Sequence, residues 1–177
     1  MLFMLNSWSC FSADTPRAEY PRPQFERATW VNLNGTWTFD FDFGKSGKDR
    51  QLQKADKFSR QIVVPFCPES KLSTVQHTDF INCLWYQRPL AIPSDWDGKK
   101  ILLHFGAVDY KAEIYLDGKY IESHYGGSSS FAIDITRHAK AGQTHNLVVR
   151  VEDDLRSGLQ TGGKQCTNYY SDRKSVV

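Results

Sequence analysis

The 177-residue chain predicts an all-β fold, a jelly-roll β-sandwich with about eight strands and an extended N-terminal arm. Three observations carry that expectation. In "GTWTFDFDF", Trp37, Phe39, Phe41 and Phe43 alternate with Thr36, Thr38, Asp40 and Asp42, the period of a strand with one aromatic face. Further apolar runs follow at roughly ten-residue spacing, separated by Gly, Pro, Asp and Ser clusters. No segment carries a long helical stripe, so a parallel sheet with crossover helices is not expected.

The elements follow in order. Residues 1–13, "MLFMLNSWSCFSA", are apolar but lack the positive start and full apolar core of an export signal. They read as a signal remnant or disordered start, with Cys10 as a weak lipidation pattern. A periplasmic or secreted location and a cytoplasmic one both stay open. Residues 14–29 hold three prolines within eight positions and read as an extended arm. Residues 30–177 read as the sandwich domain. After "GTWTFDFDF", strands are expected at "QIVVP", "CLWYQRPLAI", "KKILLHF", "KAEIYLD", "KYIESHY", "FAIDI" and "HNLVVRVE".

Local chemistry refines several of these. Asn34-Gly35 reads as a turn before a strand rather than as a glycosylation acceptor. Asp40 and Asp42 are expected on the polar face of theirs. Pro89 lacks an amide hydrogen, which places its strand at an edge or at a bulge. Asp117-Gly118 fits a two-residue hairpin turn. Alternation sends Ala112, Ile114 and Leu116 to one face and Lys111, Glu113 and Tyr115 to the other, making Tyr115 outward. The same parity puts Tyr120 with Glu122, and Tyr125 with Ile121 and Ser123. Only "TRHAKA" offers room for a turn or two of helix.

The net charge of +2 gives no reason to expect a nucleic-acid partner. The stretch Gly44–Arg60, with six basic and two acidic residues, reads as a solvated loop. No apolar run approaches the ~18 residues of a membrane span. The four cysteines, Cys10, Cys67, Cys83 and Cys166, are too irregular for a disulfide scaffold and include no C-x-x-C pair. Neither G-x-S-x-G nor a phosphate-binding loop occurs, and the five histidines show no metal-ligand spacing, so no metal or other cofactor is expected. Carboxylates are plentiful, and most have a strand-face or turn role: Asp40 and Asp42 on a strand, Asp117, Asp95 and Asp97 in turns, Asp153 and Asp154 at a strand end.

Read together, "LNGTWTFDFD", "VVPFCPES", "CLWYQRPLAIPSDWDGKKILLHFGAVDYKAEIYLDGKYIESHYGGSSSFAIDIT" and "AGQTHNLVVRVEDD" resemble the N-terminal sugar-binding domain of glycoside hydrolase family 2, the β-galactosidase and β-glucuronidase group. The likeness runs from about Trp30 to Asp154 and is specific through the order and spacing of its pieces. It implies a galactose-binding-domain-like jelly roll belonging to a retaining β-glycosidase. In that family two glutamates on a TIM barrel do the chemistry, and the barrel follows this domain and an immunoglobulin-like one. A barrel needs ~250 residues. Glu19, Glu26, Glu69, Glu113, Glu122 and Glu152 match neither catalytic motif, so the isolated chain is expected to be inactive. The family closes this domain with a "Y-x-R-x-x-G-I-W-x-x-V-W-L" strand, and "TNYYSDRKSVV" departs from that pattern, so the resemblance implies that the last strand of residues 30–177 is incomplete.

The resemblance implies a β-glycoside ligand, with the barrel and the immunoglobulin-like domain as partners. In full-length relatives, loops of this domain help shape the sugar pocket, in some cases through an acid after the hairpin. The matching loop, "HYGGSSSF", offers His124, Tyr125, Gly126, Gly127 and Ser128 but no acid. His77 and Asp79 are the polar candidates of the other long loop. Two further readings compete. One is a free-standing carbohydrate-binding module using Tyr115, Tyr120, Tyr125, Trp96 and Trp8. The other is a scaffold whose aromatics serve core and interface.

Overall fold

Alternating apolar residues in a strand can bury one face only if a second layer covers it, and the computed structural model shows that arrangement for residues 15–22, 24 and 26–153. Its strands are β1 (Gly35–Phe41), β2 (Arg60–Val64), β3 (Cys83–Ala91), β4 (Leu102–Phe105), β5 (Lys111–Leu116), β6 (Lys119–Tyr125), β7 (Phe131–Asp134) and β8 (Thr144–Glu152). A six-stranded antiparallel sheet runs β2-β1-β3-β8-β5-β6, and β4 pairs with β7 as the second layer. The chain is an all-β sandwich with eight strands among the described residues. Cys10, Cys166, Trp8 and the expected closing segment "TNYYSDRKSVV" lie outside those residues.

The inner face of the large sheet is apolar. Trp37 and Phe39 of β1, Leu84 and Tyr86 of β3, Ala112, Ile114 and Leu116 of β5, and Leu147, Val149 and Val151 of β8 bury against Leu103, Phe105 and Ile133 of the small sheet. Each large side chain withdrawn from water contributes ~1.5–3 kcal/mol before chain entropy is set against it.

The outer face departs from expectation. The Gly44–Arg60 stretch is not merely solvated: part of it lies over Trp85, Tyr115 and Val148, with Phe58 packed among them. Gln87 of β3 fastens it, accepting from the Phe58 amide (2.9 Å) and donating to the carbonyls of Ala55 (2.7 Å) and Asp56 (3.2 Å). Tyr115, expected outward, is 6% exposed because this cover closes over it. Asp42, expected on the polar face of its strand, is buried as well. Its carboxylate accepts from the amides of Ser46 and Gly47, from the Trp85 indole (3.0 Å) and from Arg50.

Three local features complete the frame. Pro89 sits in a central strand, but beyond the last β1–β3 rung at Thr38–Gln87, so β3 is one-sided there and the missing N–H interrupts no ladder with β1. Asp117 and Gly118 have φ of 50° and 76°, the left-handed pair that a tight hairpin requires. The register shifts once in this hairpin: Ile114 faces Glu122 but Tyr115 faces Tyr120, leaving Ile121 as an extra residue. That bulge corrects the sequence parity. Tyr120 and Tyr125 stand opposite Tyr115 and Lys111, on the same outer face. "TRHAKA" forms turns rather than helix, and the described helical segments are single 3₁₀ turns at Leu52–Lys54, Lys71–Ser73 and Ser94–Trp96.

Candidate functional site

The β6–β7 loop, residues 126–130, leaves the sheet beside the β4–β5 loop, residues 106–110, because β6 pairs with β5 and β7 with β4. The Gly126 amide donates to the Tyr110 carbonyl (2.9 Å) and joins the two loops at their base. His124 stacks on Phe131 (3.9 Å between ring centroids, 13° between planes), which stacks on Phe105 (4.8 Å, 16°). His124 Nε2 is turned inward and finds no hydrogen-bond partner among the described residues. Tyr125 is 57% exposed, edge-on to Tyr110 (6.3 Å), with the Lys111 ammonium 5.4 Å from its ring centre. Ser128, Ser129 and Ser130 are exposed, and Arg22 of the arm donates to the Ser130 hydroxyl.

The other two predicted residues stand elsewhere. His77 packs on Phe41 (4.8 Å) and Phe43 (6.0 Å) at the end of β1, while the exposed Asp79 accepts the Phe80 amide (2.7 Å) as a turn cap. β1 and β6 are four strand positions apart in the sheet, about 19 Å at ordinary strand spacing. His77 and Asp79 therefore share an end of the sandwich with His124, Tyr125, Gly126, Gly127 and Ser128 without being gathered into one cluster. Sequence reasoning missed Asp109, Tyr110 and Arg22, which do touch the loop. The sequence signal for Asp109 and Tyr110 was the short "DY" preceding β5, and Arg22 in "YPRPQF" carried none.

One carboxylate pair superficially suits glycoside hydrolysis. Arg150 bridges Glu113 (3.1 Å) and Glu152 (2.8 Å), bringing both acids to one guanidinium. A glycosidase needs one of its pair held protonated as a general acid. Burial alone would raise both, but hydrogen bonds from Lys48 and Lys111 hold Glu113 down to about 2, and those from Lys45 and Arg150 also lower Glu152. Both are ionised at neutral pH, and Glu113 is 4% exposed under the cover. Lys48, Lys111 and Arg150 pair with Glu113, and Lys45 and Arg150 with Glu152.

The remaining candidates are weaker. Lys100, Asp134, Thr136, Arg137 and His138 line an open depression at the opposite end of the sandwich. Its Asp134 is a turn cap, bound by the Thr136 hydroxyl and amide and paired with Lys100 (3.3 Å). Among the described residues no three His, Cys, Asp or Glu side chains group as metal ligands, and no helix is long and apolar enough to cross a membrane. Cys67 and Cys83 are free thiols, and burial pushes Cys83 up to about 12.

Comparison with known proteins adds three findings. Residues 30–160 match the family profile described as glycosyl hydrolases family 2, sugar binding domain. Among curated relatives, a β-glucuronidase of Paenibacillus borealis is 28% identical over 70% of this chain and 21% of its own length. A β-galactosidase of Thermoanaerobacter pseudethanolicus is 34% identical over 71% of this chain and 15% of its own length. A solved β-glucuronidase from Ruminococcus gnavus, in complex with C6-substituted uronic isofagomine, superposes with a TM-score of 0.63 at 29% identity, covering 70% of this chain and 21% of that one. The chain thus spans at most about a fifth of the length of these relatives.

Proposed function

Since the chain belongs to glycosyl hydrolase family 2 through that family's sugar-binding domain, we propose that it serves as the non-catalytic accessory domain of a retaining β-glycosidase, supporting the sugar pocket and the catalytic barrel. The observation that carries this reading is that the family match, residues 30–160, takes in all eight described strands, from Gly35 to Glu152. The ion pairs around Glu113 and Glu152 support it further, since both carboxyls are held below their ordinary range and neither is kept protonated as a general acid. On this reading residues 14–29 are an arm and residues 30–177 the domain. The loop from His124 to Ser128 faces the sugar pocket, and His77 and Asp79 belong to a second loop at the same end. β-Glucuronides or β-galactosides are the substrate class of the whole enzyme, and the barrel and an immunoglobulin-like domain are its partners.

The test compares the purified chain with the product of the complete reading frame on 4-nitrophenyl β-D-glucuronide and β-D-galactoside. The chain alone gives no turnover and the longer product does. Turnover by the chain alone, abolished by Glu113→Gln, overturns the proposal, as does a complete gene encoding no barrel.

A free-standing glycan-binding module keeps one supporting observation. Tyr120 and Tyr125 are 54% and 57% exposed on one face. Tyr115 is buried and Trp96 packs partly against the core, so neither serves that reading. Titration of the chain with plant polysaccharides, read by intrinsic fluorescence, decides it: no change at millimolar ligand removes it.

A further inference from the structure

The β6–β7 loop is made of two glycines and three serines, the composition of a flexible linker. Ordering such a segment costs more chain entropy than ordering one with branched side chains, so a single shape requires ties from outside. Two ties lie at its ends, the Gly126 amide on Tyr110 and the Ser130 hydroxyl on Arg22. The third lies in its middle. A Cβ built on Gly127 would stand 2.0 Å from Asp109 Oδ1 and 2.2 Å from its Cγ, so the Asp109 side chain occupies the space that any other residue at 127 would fill.

The two glycines are therefore required for different reasons. Gly126 has φ of 114°, a conformation that side chains disfavour, and has room around it. Gly127 has no such dihedral and is required for the close approach of Asp109. We infer that Asp109, reaching over from the β4–β5 loop, is the positioning residue of the Gly126–Ser130 loop, placing against it the carboxylate that the loop's own sequence lacks. Asp109 and Tyr110 act as a unit, since Tyr110 holds Gly126 through its carbonyl and Tyr125 through its ring. The inference rests on the reading of this loop as the sugar-facing part of a glycosidase domain. The class of ligand served is a β-linked pyranoside.

The experiment uses the full 177-residue chain, with amide exchange and ¹⁵N shifts followed by NMR. Asp109→Ala raises the exchange rate of the Gly126 amide by about tenfold or more while the Leu84 and Val149 amides of the core keep their protection. Asp109→Asn, of the same shape, restores most of the protection, and Gly127→Ala reproduces the release with Asp109 intact. Methyl β-D-glucuronide or methyl β-D-galactoside shifts the 126–130 amides of the unmodified chain, and Asp109→Ala abolishes that response. Gly126 exchange within about twofold of the unmodified chain in Asp109→Ala overturns the inference. Should that variant not fold, unchanged exchange in Gly127→Ala overturns it instead. If the variants release the loop but the unmodified chain responds to neither glycoside, the positioning role stands and the sugar-facing reading falls.

Discussion

The two faces of the six-stranded sheet are both covered, but the outer cover adds a cluster of ion pairs to its apolar contacts. The inner face is closed by a second sheet through an apolar cluster in which Trp37, Phe39 and Tyr86 meet Leu103, Phe105 and Ile133. The outer face is closed by a loop segment over a buried ionic knot, in which Glu113 meets Lys48 (2.8 Å), Lys111 (3.0 Å), Arg150 and the Tyr115 hydroxyl. Apolar packing tolerates compensation by neighbours, whereas a buried charge tolerates no missing partner. The inner face should thus fail in proportion to lost volume, and the outer face in proportion to lost charge balance.

The largest expected effect breaks the inner face. Phe39→Ala removes a ring that is 1% exposed and should cost ~3–5 kcal/mol in urea unfolding. Glu113→Ala should cost about 3 kcal/mol, because it takes from Arg150, itself 4% exposed, one of its two carboxylates and leaves it with Glu152 alone beneath the cover. The comparison sharpens in the double variant Glu113→Leu with Arg150→Met. If ionic balance governs the outer face, this pair is more stable than Glu113→Ala alone. Equal destabilisation would show that shape governs it, as on the inner face.

Acid should separate the faces without mutation. Burial would raise the Glu113 carboxyl, but Lys48, Lys111 and Arg150 outweigh it and hold it at about 2 against an ordinary 4.5. A lowered folded value means that the contribution is complete above about 4.5 and is lost as pH falls from there through about 2. Asp42, lowered against the opposing effect of burial by Trp85, Gly47 and Arg50, acts in the same direction. The Trp85 indole, bound to Asp42, should therefore change its fluorescence in this window, read in a chain whose other tryptophans are replaced by phenylalanine. Glu113→Gln should flatten that change. Simultaneous loss of both faces at one pH would contradict it.

A smaller effect is expected at the start of the cover. A Cβ on Gly47 would lie 2.3 Å from Trp85 Nε1 and 2.6 Å from Asp42 Oδ2. Gly47→Ala should cost ~1–3 kcal/mol by thermal unfolding and shift the Trp85 emission, leaving the inner face intact.

These differences explain what the sequence made legible. Trp37, Phe39, Ala112, Ile114 and Leu116 announced the inner face because alternation is a local property of one strand. The same alternation assigned Glu113 and Tyr115 outward correctly but could not say that outward was covered, since the cover comes from residues near 50 in the chain. Composition then misled: Lys45 and Lys48 read as solvated charges until their partners Glu152 and Glu113 were in place. At the candidate site the loop itself was legible from "GGSSS". The bulge at Ile121 and the contact of Asp109 with Gly127 were not, because each depends on a neighbouring strand or loop.

The smallest expected effect tests where the ionic knot ends. Lys48 and Arg150 both touch Glu113, yet the Lys48 side chain is 50% exposed and that of Arg150 5%. An exposed ammonium gives back in hydration most of what it gains in attraction, and holding its long side chain in place costs entropy. Lys48→Met keeps the aliphatic stem over the sheet and leaves Glu113 with Lys111 and Arg150. It should shift stability by at most ~1 kcal/mol, and the shift should shrink further in high salt. A loss as large as that of Glu113→Ala would mean that the cover is held by its rim rather than by the buried pair. Charge balance would then be set at the surface, and the contrast between the two faces would reduce to one of depth.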